Sequence, residues 1–286
     1  MNKQAGTVSP ATAASASVSL TAWDEGQMQP RFDTVAKEEP LQIRVGSGGR
    51  LIDVAVTMRT PGNDFELAAG FLYSEGLIRS REQIDSISYC VDPAIDSEQR
   101  YNIVTLQLRG QLATSLERLE RHFAIGSACG VCGKAQLEDL QARGIARIEN
   151  ESCISADVLR SLPERLQDQQ RVFAMTGGLH ASALFGMSGA LEAIREDVGR
   201  HNATDKLIGW GLLSEWLPFG EKVLVVSGRS SFEIVQKAAA AGVPIVCSVS
   251  APSSLAIEVA QTFNITLIGF LRGSRFNVYS GAARIV

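Results

Sequence analysis

The alternation of apolar and polar positions is most regular in the C-terminal part of the chain. Runs that are apolar throughout alternate there with stretches of helical periodicity, and a short apolar–polar run follows near the end. Strands are predicted over residues 221–229, 243–252 and 265–273, and a final short strand over residues 275–281. Helices are predicted between them, over residues 230–242 and 253–264. This order is typical of a mainly parallel sheet covered by helices.

The first half of the chain predicts a smaller α+β unit. Residues 41–58 alternate on either side of a glycine-rich turn, which indicates a hairpin. A helix is expected to begin at Asn63 or Asp64 and to end at Gly76. The other elements predicted here are a strand and a helix, over residues 101–108 and 111–122.

Between these two units, the pattern predicts further helices and one strand. We expect a helix over residues 155–170, a helix that begins after the glycines at 177–178, and a strand after the turn at Gly189. A further helix is predicted over residues 201–216, with one of two polar residues as its N-cap, Asn202 or Thr204.

The composition indicates a globular protein and excludes two classes of function. Of the 286 residues, 45% are apolar and 20% are charged, and the net charge is −4. A general nucleic-acid binder would show a basic excess, so no nucleic-acid partner is expected. The sequence has no apolar run of about 18 residues, so no membrane span is expected either.

The N-terminus and the cysteines complete the predicted organisation. The first residues are rich in Ala, Ser and Thr and predict a disordered tail without a secretory signal. Five cysteines are too few for a disulfide framework and favour the cytoplasm. We predict a disordered tail over residues 1–28 and an α+β domain over residues 29–125. A mobile Cys-x-x-Cys loop over residues 126–134 and an α/β domain over residues 135–286 are predicted to follow.

Small polar loops follow the predicted parallel strands. Because ligands of such sheets bind beyond the carboxyl ends of the strands, these loops form a candidate site. They are rich in serine, glycine and arginine, which together suit a phosphate group, although serine and glycine also serve as ordinary caps and turns. Neither a Walker-type loop nor a G-x-G-x-x-G motif is present. The candidate residues are Ser227, Gly228, Arg229, Ser250, Leu271, Arg272, Gly273, Ser274 and Arg275.

The segment GSACGVCGK, residues 126–134, places two of the five cysteines in a glycine-rich setting. A structural zinc site would need a second pair of ligands, and no second Cys-x-x-Cys exists, so we expect no bound zinc. Inert burial is disfavoured because glycine-rich loops lie at the surface. Lys134 favours a reactive thiolate at this pair. The residues alone leave redox chemistry and sulfur transfer equally open.

Other residues have competing structural and functional interpretations. His180 and His201 either contact a ligand or are held by backbone hydrogen bonds. Three charged residues near the first helix, Arg59, Asp64 and Glu66, are expected to form a buried ion network. The three remaining cysteines, Cys90, Cys153 and Cys247, are expected to be packing residues.

Several long segments of the chain resemble the FdhD-type sulfurtransferases, which are accessory proteins of formate dehydrogenase. The resemblance covers nearly everything from about residue 30 to the C-terminus. It is carried by MRTPGNDFELAAGFLYSEGLI, GSACGVCGK, MTGGLHASALF, EDVGRHNATDKLIG, VVSGRSSFEIVQKAAAAGVPIVCSVSAPSSLAIEVA and GFLRGSRFNVYSG.

The resemblance implies a function, a fold and an assembly. A sulfur carrier of this kind takes persulfide sulfur from a cysteine desulfurase and passes it to the Mo/W-bis(pterin guanine dinucleotide) cofactor of formate dehydrogenase. Cys129 would form the persulfide with Cys132 as its partner, and residues Phe270 to Arg275 would match the cofactor-binding stretch, with GDP as a mimic of the cofactor. A cytidine-deaminase-like α/β/α fold and a homodimer are also implied. The alternative is a cofactor-binding chaperone without a sulfur-transfer step.

A zinc deaminase is the rival enzyme for such a fold. Deaminases require H-x-E followed by P-C-x-x-C. Here His180 is followed by Ala181 and Ser182, and Ala128 rather than proline precedes the cysteine pair. We therefore expect no deaminase activity.

Overall fold

The computed structural model describes residues 14–110, 138 and 140–286. The described chain forms a projecting hairpin, a four-stranded sheet with a helix against it, and a six-stranded sheet enclosed by helices. Strands β1 to β6 are Ser15–Asp24, Gln27–Ala36, Glu39–Ser47, Arg50–Arg59, Ile84–Tyr89 and Ile103–Leu108. Helices α1 and α2 are Asp64–Ser74 and Ser97–Arg100.

The second half of the chain begins with two helices and continues into the larger sheet. Helices α3 to α7 are Ala156–Gln169, Arg171–Thr176, Arg200–Leu213, Phe232–Ala240 and Ser254–Thr262. Strands β7 to β12 are His180–Gly186, Leu191–Asp197, Lys222–Val226, Ile245–Ser248, Thr266–Arg272 and Arg275–Ser280. Single 3₁₀ turns lie at Arg81–Gln83 and Ala282–Arg284. Over the described residues, no helix is both long and apolar enough to cross a bilayer.

The smaller sheet has the strand order β4-β3-β6-β5 and confirms the predicted hairpin at residues 41–58. Strands β3 and β6 are parallel, whereas the outer pairs are antiparallel. The inward side chains Leu41, Ile43 and Val45 are fully buried against α1. The helix begins after Asn63, as predicted, and its apolar face covers one side of the sheet.

The larger sheet has the order β12-β11-β10-β9-β7-β8. Its centre, β9 to β11, is parallel as predicted. However, β7 pairs antiparallel with both β9 and β8, and β12 pairs antiparallel with β11, so the sheet is mixed. Alternate residues of each strand face opposite layers. Val225 and Ile245 face α3, whereas Leu224 and Val246 face α5, α6 and α7. This arrangement is a three-layer α/β/α unit.

Two predictions for residues 171–204 are wrong. The helix ends at the glycines instead of starting after them, because Gly177 adopts a left-handed conformation with φ of 67° and cannot continue it. The residues that follow form β7, which is hydrogen-bonded on both sides. The N-cap of α5 is Gly199 rather than Asn202 or Thr204, whose side chains bond to neighbouring elements.

The predicted disordered tail over residues 1–28 is also wrong from residue 15 onward. Strands β1 and β2 pair in register over ten residues each, from Ser15 opposite Ala36 to Asp24 opposite Gln27. Serine, threonine and alanine dominate β1, so the apolar alternation that marks a half-buried strand is weak. The predicted 125/126 domain boundary and the helix over residues 111–122 lie outside the described residues.

The two units meet at the crossing of α1 and α5. Gly70 and Gly209 face each other there, and a Cβ atom on Gly70 would overlap the carbonyl oxygen of Asp205. A Cβ atom on Gly209 would likewise overlap the carbonyl oxygen of Glu66. The absence of side chains at both positions lets the two backbones come into contact.

Buried ion pairs surround this crossing. Lys237 Nζ lies 2.8 and 2.9 Å from the two carboxylate oxygens of Asp205, which also accepts a hydrogen bond from Ser74 at 2.8 Å. Arg59 donates two hydrogen bonds to Asp64, at 3.1 and 3.0 Å, which confirms part of the predicted ion network. The predicted third member, Glu66, instead binds Arg195 of the other unit.

We predict that Gly70→Ala destabilises the protein. Alanine in a helix is ordinarily more favourable than glycine by up to about 1 kcal/mol. Here the methyl group would collide with rigid backbone, so we expect a loss of at least about 3 kcal/mol. Thermal unfolding should show Tm lower by roughly 6–12 °C.

The matched control for this prediction is Gly220→Ala, because the nearest atom to a Cβ there is 3.9 Å away. Its Tm should change little. An unchanged or raised Tm for Gly70→Ala would contradict the close crossing.

Candidate functional site

The loops predicted to form the site meet at the carboxyl edge of the parallel strands. Ser253 N donates to Ser230 O at 3.1 Å, and Phe270 N donates to Ser250 O at 3.0 Å. Arg272 Nε donates to Val249 O at 2.9 Å. The three loops therefore form one continuous edge, as expected from the sequence.

The third loop differs in form from the other two. It joins β11 to β12 as a tight turn at Gly273, with φ of 52°, and does not enter a helix. The register is irregular just before it, where Phe270 adopts a left-handed φ of 53° and is 37% exposed as a whole residue. A phenylalanine in this region is strained, and such strain tends to persist at functional sites.

Histidine and arginine side chains border the first loop. His180 begins β7, and a Cβ atom on Gly228 would lie 3.4 Å from His180 Nδ1 and 3.7 Å from Arg200 Cδ. His201 Nε2 lies 3.2 Å from Ser231 Oγ and 2.7 Å from Glu233 Oε2. Both histidines are thus part of the edge. Sequence reasoning missed Arg200, although it precedes His201 directly.

The charges at this part of the edge shift two pKa values. Burial lowers the pKa of His180, and the neighbouring positive charges of Arg200 and His201 lower it further, against the opposing effect of Asp197. The hydrogen bond from His201 lowers the pKa of Glu233, against the effect of burial. The pKa of His180 therefore lies below the ordinary histidine value.

Asp197 fixes the turn that leads from β8 into α5. Its fully buried carboxylate accepts hydrogen bonds from Gly199 N at 2.8 Å, Asn202 Nδ2 at 3.1 Å and Thr60 N at 3.1 Å. Lys206 Nζ completes the set at 2.7 Å. These bonds tie the start of α5, and so the imidazole of His201, to the sheet.

The cysteines divide into three groups. Cys129 and Cys132 lie outside the described residues. Cys247 is fully buried, as predicted, and burial raises the pKa of its thiol far above the usual range. Cys153 is exposed, so its prediction as a packing residue is wrong, and Cys90 is half-buried. In the described part of the chain, no three His, Cys, Asp or Glu side chains are grouped as metal ligands.

A cavity of about 400 Å³ lies at the opposite end of the molecule. Its walls come from the ends of α1 and α6 and from residues 143–150, and they include Tyr73, Arg79, Arg143 and Arg147. Arg109 N donates a hydrogen bond to Gln83 O, and the Arg79 side chain donates one to Arg143 O. The described part of the chain therefore stops at residue 110 and resumes near residue 140 close to this cavity. Among the residues that the structure describes, none of the predicted site residues lines the cavity.

The mixed sheet and the layers of helices on its two faces define the class of protein: a three-layer α/β protein whose carboxyl edge is rich in arginine and serine. The model of the FdhD/NarQ family matches residues 36–286. The chain therefore belongs to the FdhD/NarQ family, which confirms the resemblance noted in the sequence.

Individual relatives agree with this assignment. Sulfur carrier protein FdhD of Mycobacterium tuberculosis is 47% identical over 263 residues, which are 91% of this chain and 94% of that protein. Sulfur carrier protein FdhD of Sulfolobus acidocaldarius is 44% identical over 269 residues, 94% of this chain and 97% of that one. The crystal structure of a protein described as a formate dehydrogenase accessory protein, from Desulfotalea psychrophila, matches with a TM-score of 0.72 at 25% identity, covering 96% of this chain and 100% of that one.

We predict that His180 titrates below the ordinary histidine pKa of about 6.5. As the pH falls, the unfolded chain takes up this proton before the folded chain does, so folding stability decreases below about pH 6.5. NMR titration of the imidazole protons measures the pKa directly. Replacing Arg200 with glutamine should raise it, because a neighbouring positive charge is removed. A pKa of 6.5 or above in the wild-type protein would contradict the described surroundings of His180.

Proposed function

We propose that the chain is a sulfur carrier needed for formate dehydrogenase activity. It takes persulfide sulfur from a cysteine desulfurase and transfers it to the Mo/W-bis(pterin guanine dinucleotide) cofactor, which is the substrate of the transfer. The observation that carries this proposal is the arginine- and serine-rich sheet edge, which suits the phosphates of such an acceptor. The names of the relatives support the sulfur-carrier role.

The sulfur would travel on Cys129. Its thiolate attacks the sulfane sulfur of the donor persulfide; the donor S–S bond breaks as the bond to Cys129 forms, and the donor leaves as a thiolate. Attack by Cys132 on the Cys129 sulfur then releases hydrosulfide to the acceptor and leaves a disulfide between the two cysteines. A dithiol reductant restores both thiols.

The length of the chain allows Cys129 to reach the sheet edge. It lies eleven positions before Leu140, a contour of about 35 Å. Helix α6 runs from the sheet edge to the cavity. Its nine residues have a length of about 14 Å, which is the distance along the helix between the edge and the cavity. The contour thus exceeds the distance that the thiol would have to cross.

The nucleotide part of the acceptor would bind at the third loop. Arg272 and Arg275 flank the turn and supply charge for a pyrophosphate, while the partly exposed ring of Phe270 offers a surface on which guanine can stack. Ser227, Arg229 and Ser250 lie along the same edge. GDP is the corresponding probe.

We also propose a cytoplasmic location and a cytidine-deaminase-like order of layers. The sparse cysteines favour a reducing compartment. The α/β/α layering is compatible with the deaminase fold. Deaminase chemistry is not part of the proposal, because the glutamate that follows the histidine in deaminases is replaced by Ser182.

Sulfur loading tests the proposal. After incubation with a cysteine desulfurase and cysteine, mass spectrometry should show one added sulfur atom on the Cys129 peptide. The adduct should disappear in Cys129→Ala. It should persist in the matched control Cys153→Ala, which removes an exposed cysteine elsewhere.

The alternative is a chaperone that binds the cofactor without carrying sulfur. It predicts that the double variant Cys129→Ala,Cys132→Ala still activates formate dehydrogenase fully. An adduct that survives Cys129→Ala would assign the sulfur to another cysteine and would contradict the proposed carrier residue.

We further propose a homodimer held by the projecting hairpin. Trp23, Met28 and Phe32 share one face of it, since Trp23 pairs with Met28 and Phe32 pairs with Ser19, and their exposed fractions are 69%, 72% and 84%. A two-stranded hairpin alone is marginally stable in water, so a constant partner is expected. A second copy is such a partner.

The same chain offers a surface for this hairpin to cover. The edge strand β4 exposes Leu51, Val56 and Met58. If each copy contributes both the apolar hairpin face and this strip, the two contacts of the dimer are equivalent, as two-fold symmetry requires. We therefore propose that the β4 edge of the second copy covers the apolar face of the hairpin.

We predict that the wild-type chain elutes at twice its 30.7 kDa mass in size-exclusion chromatography with light scattering. The double variant Trp23→Ser,Phe32→Ser should elute as a monomer, because it removes the apolar face. The control Val91→Ser, at a residue 83% exposed elsewhere, should remain dimeric. A monomeric wild type, or a dimer that survives the double variant, would contradict the proposal.

A further inference from the structure

The cavity at the far end of α6 lies outside the sheet edge that the proposed function uses. Four separate stretches of the chain contribute its walls, residues 73–79, 143–150, 218–220 and 239–242. Its volume of about 400 Å³ falls within the range of roughly 300–1,000 Å³ that is usual for small-molecule sites. The cavity therefore has room for a small organic molecule.

The wall formed by residues 143–150 is fixed, although residues 145–150 have no regular secondary structure. Three side chains from distant parts of the chain donate hydrogen bonds to its backbone carbonyls: Arg79 at 3.0 Å, Asn264 at 2.7 Å and Arg284 at 3.0 Å. The accepting carbonyls belong to Arg143, Ile148 and Asn150. A wall held in this way is formed before any ligand binds, as in most small-molecule sites.

The remaining wall surface is mostly apolar. Tyr73 donates a hydrogen bond from its hydroxyl group to Ala240 O at 3.1 Å, which joins the ends of α1 and α6. Its ring adds apolar surface, and further apolar wall residues are Ile78, Ile145, Ile148 and Pro218. Such walls favour a ligand whose body is apolar, because binding removes that surface from water.

The charged side chains of the wall leave one positive charge over. Three arginines line it, Arg79, Arg143 and Arg147. Arg143 is paired with Glu75 at 3.4 Å, and Arg147 lies 3.4 Å from Glu149, with both of the latter side chains more than half exposed. Arg79 has no carboxylate within 4.0 Å among residues 14–110 and 140–286. One anionic group of a ligand would balance this charge.

We propose that the cavity binds a small, mostly apolar molecule that carries one carboxylate group. The guanidinium groups of Arg79 and Arg147 bind the carboxylate, for which their planar donor pairs are suited. The apolar body packs against Tyr73 and the isoleucines of the wall. This ligand class differs from the phosphates proposed for the sheet edge, and the site does not depend on the sulfur-transfer proposal.

The test follows isoleucine methyl signals by NMR in the full chain, with 2-naphthoate as the probe. The probe has an aromatic body and one carboxylate. The signals of Ile78, Ile145 and Ile148, assigned with single Ile→Val variants, should shift saturably. The signal of Ile43, which is buried in the smaller sheet, should stay in place and serves as the internal control.

Calorimetry with matched ligands and variants tests the role of the charge. The neutral analogue 2-naphthamide should bind at least about tenfold more weakly, because it cannot form charge-assisted bonds. Arg79→Gln should cause a similar loss, and Arg79→Lys should restore part of the affinity. Arg147→Gln should also weaken binding, and it leaves the hydrogen bonds of the wall intact. Arg160→Gln, on the exposed side of α3, should have no effect.

Three results would overturn this site. The three wall isoleucines do not respond to 2-naphthoate, or 2-naphthamide binds as tightly as 2-naphthoate, or Trp23→Ser,Phe32→Ser abolishes binding and so assigns the probe to the hairpin. GDP binding that depends on Arg272 should be unchanged in Arg79→Gln, because α6 separates the two places by about 14 Å. A failure of the cavity site is therefore distinguishable from a failure of the proposed function.

Discussion

The backbone contact between Gly70 of α1 and Gly209 of α5 is the constraint on which the rest of the structure depends. It brings the four-stranded unit against the larger sheet and leaves room for the buried pair of Asp205 and Lys237 beside it. Removing one partner of such a buried pair strongly destabilises the fold, because the other charge stays buried and unpaired. The pair therefore favours one arrangement of the two units. The helix that carries Gly209 also begins at Arg200, at the sheet edge. The joint therefore sets the position of the site as well as that of the two units.

The sheet edge combines a rigid frame with small side chains. The buried pair of Asp197 and Lys206 fixes the start of α5, and loops rich in serine and glycine lie beside it along the edge. A preorganised edge of this kind suits the phosphate of the proposed acceptor, because no loop has to be ordered first. The strained Phe270 and the unpaired Arg200 Nε both lie along this edge, where we propose that the acceptor binds.

The sequence was informative wherever a local pattern decided the structure. Strands β9 to β11 and helices α6 and α7 were predicted because their apolar runs end sharply in polar loops, and the site loops followed from that order. The crossing of α1 and α5 was not predicted, since a glycine within a helix indicates weakness unless its partner helix is known. Arg200 was missed because its neighbours, His180 and Gly228, are distant in the chain. The pattern predicts a helix in place of strand β7 because glycines can precede a helix as well as end one. It predicts a disordered tail because β1 is rich in small polar residues.

A crystal structure of the chain with GDP tests the central claim most directly. The account predicts the nucleotide at the carboxyl edge, with its phosphates against Arg272 or Arg200 and its base near Phe270. GDP bound instead in the cavity bordered by Arg79 and Arg147, at the other end of α6, would contradict it.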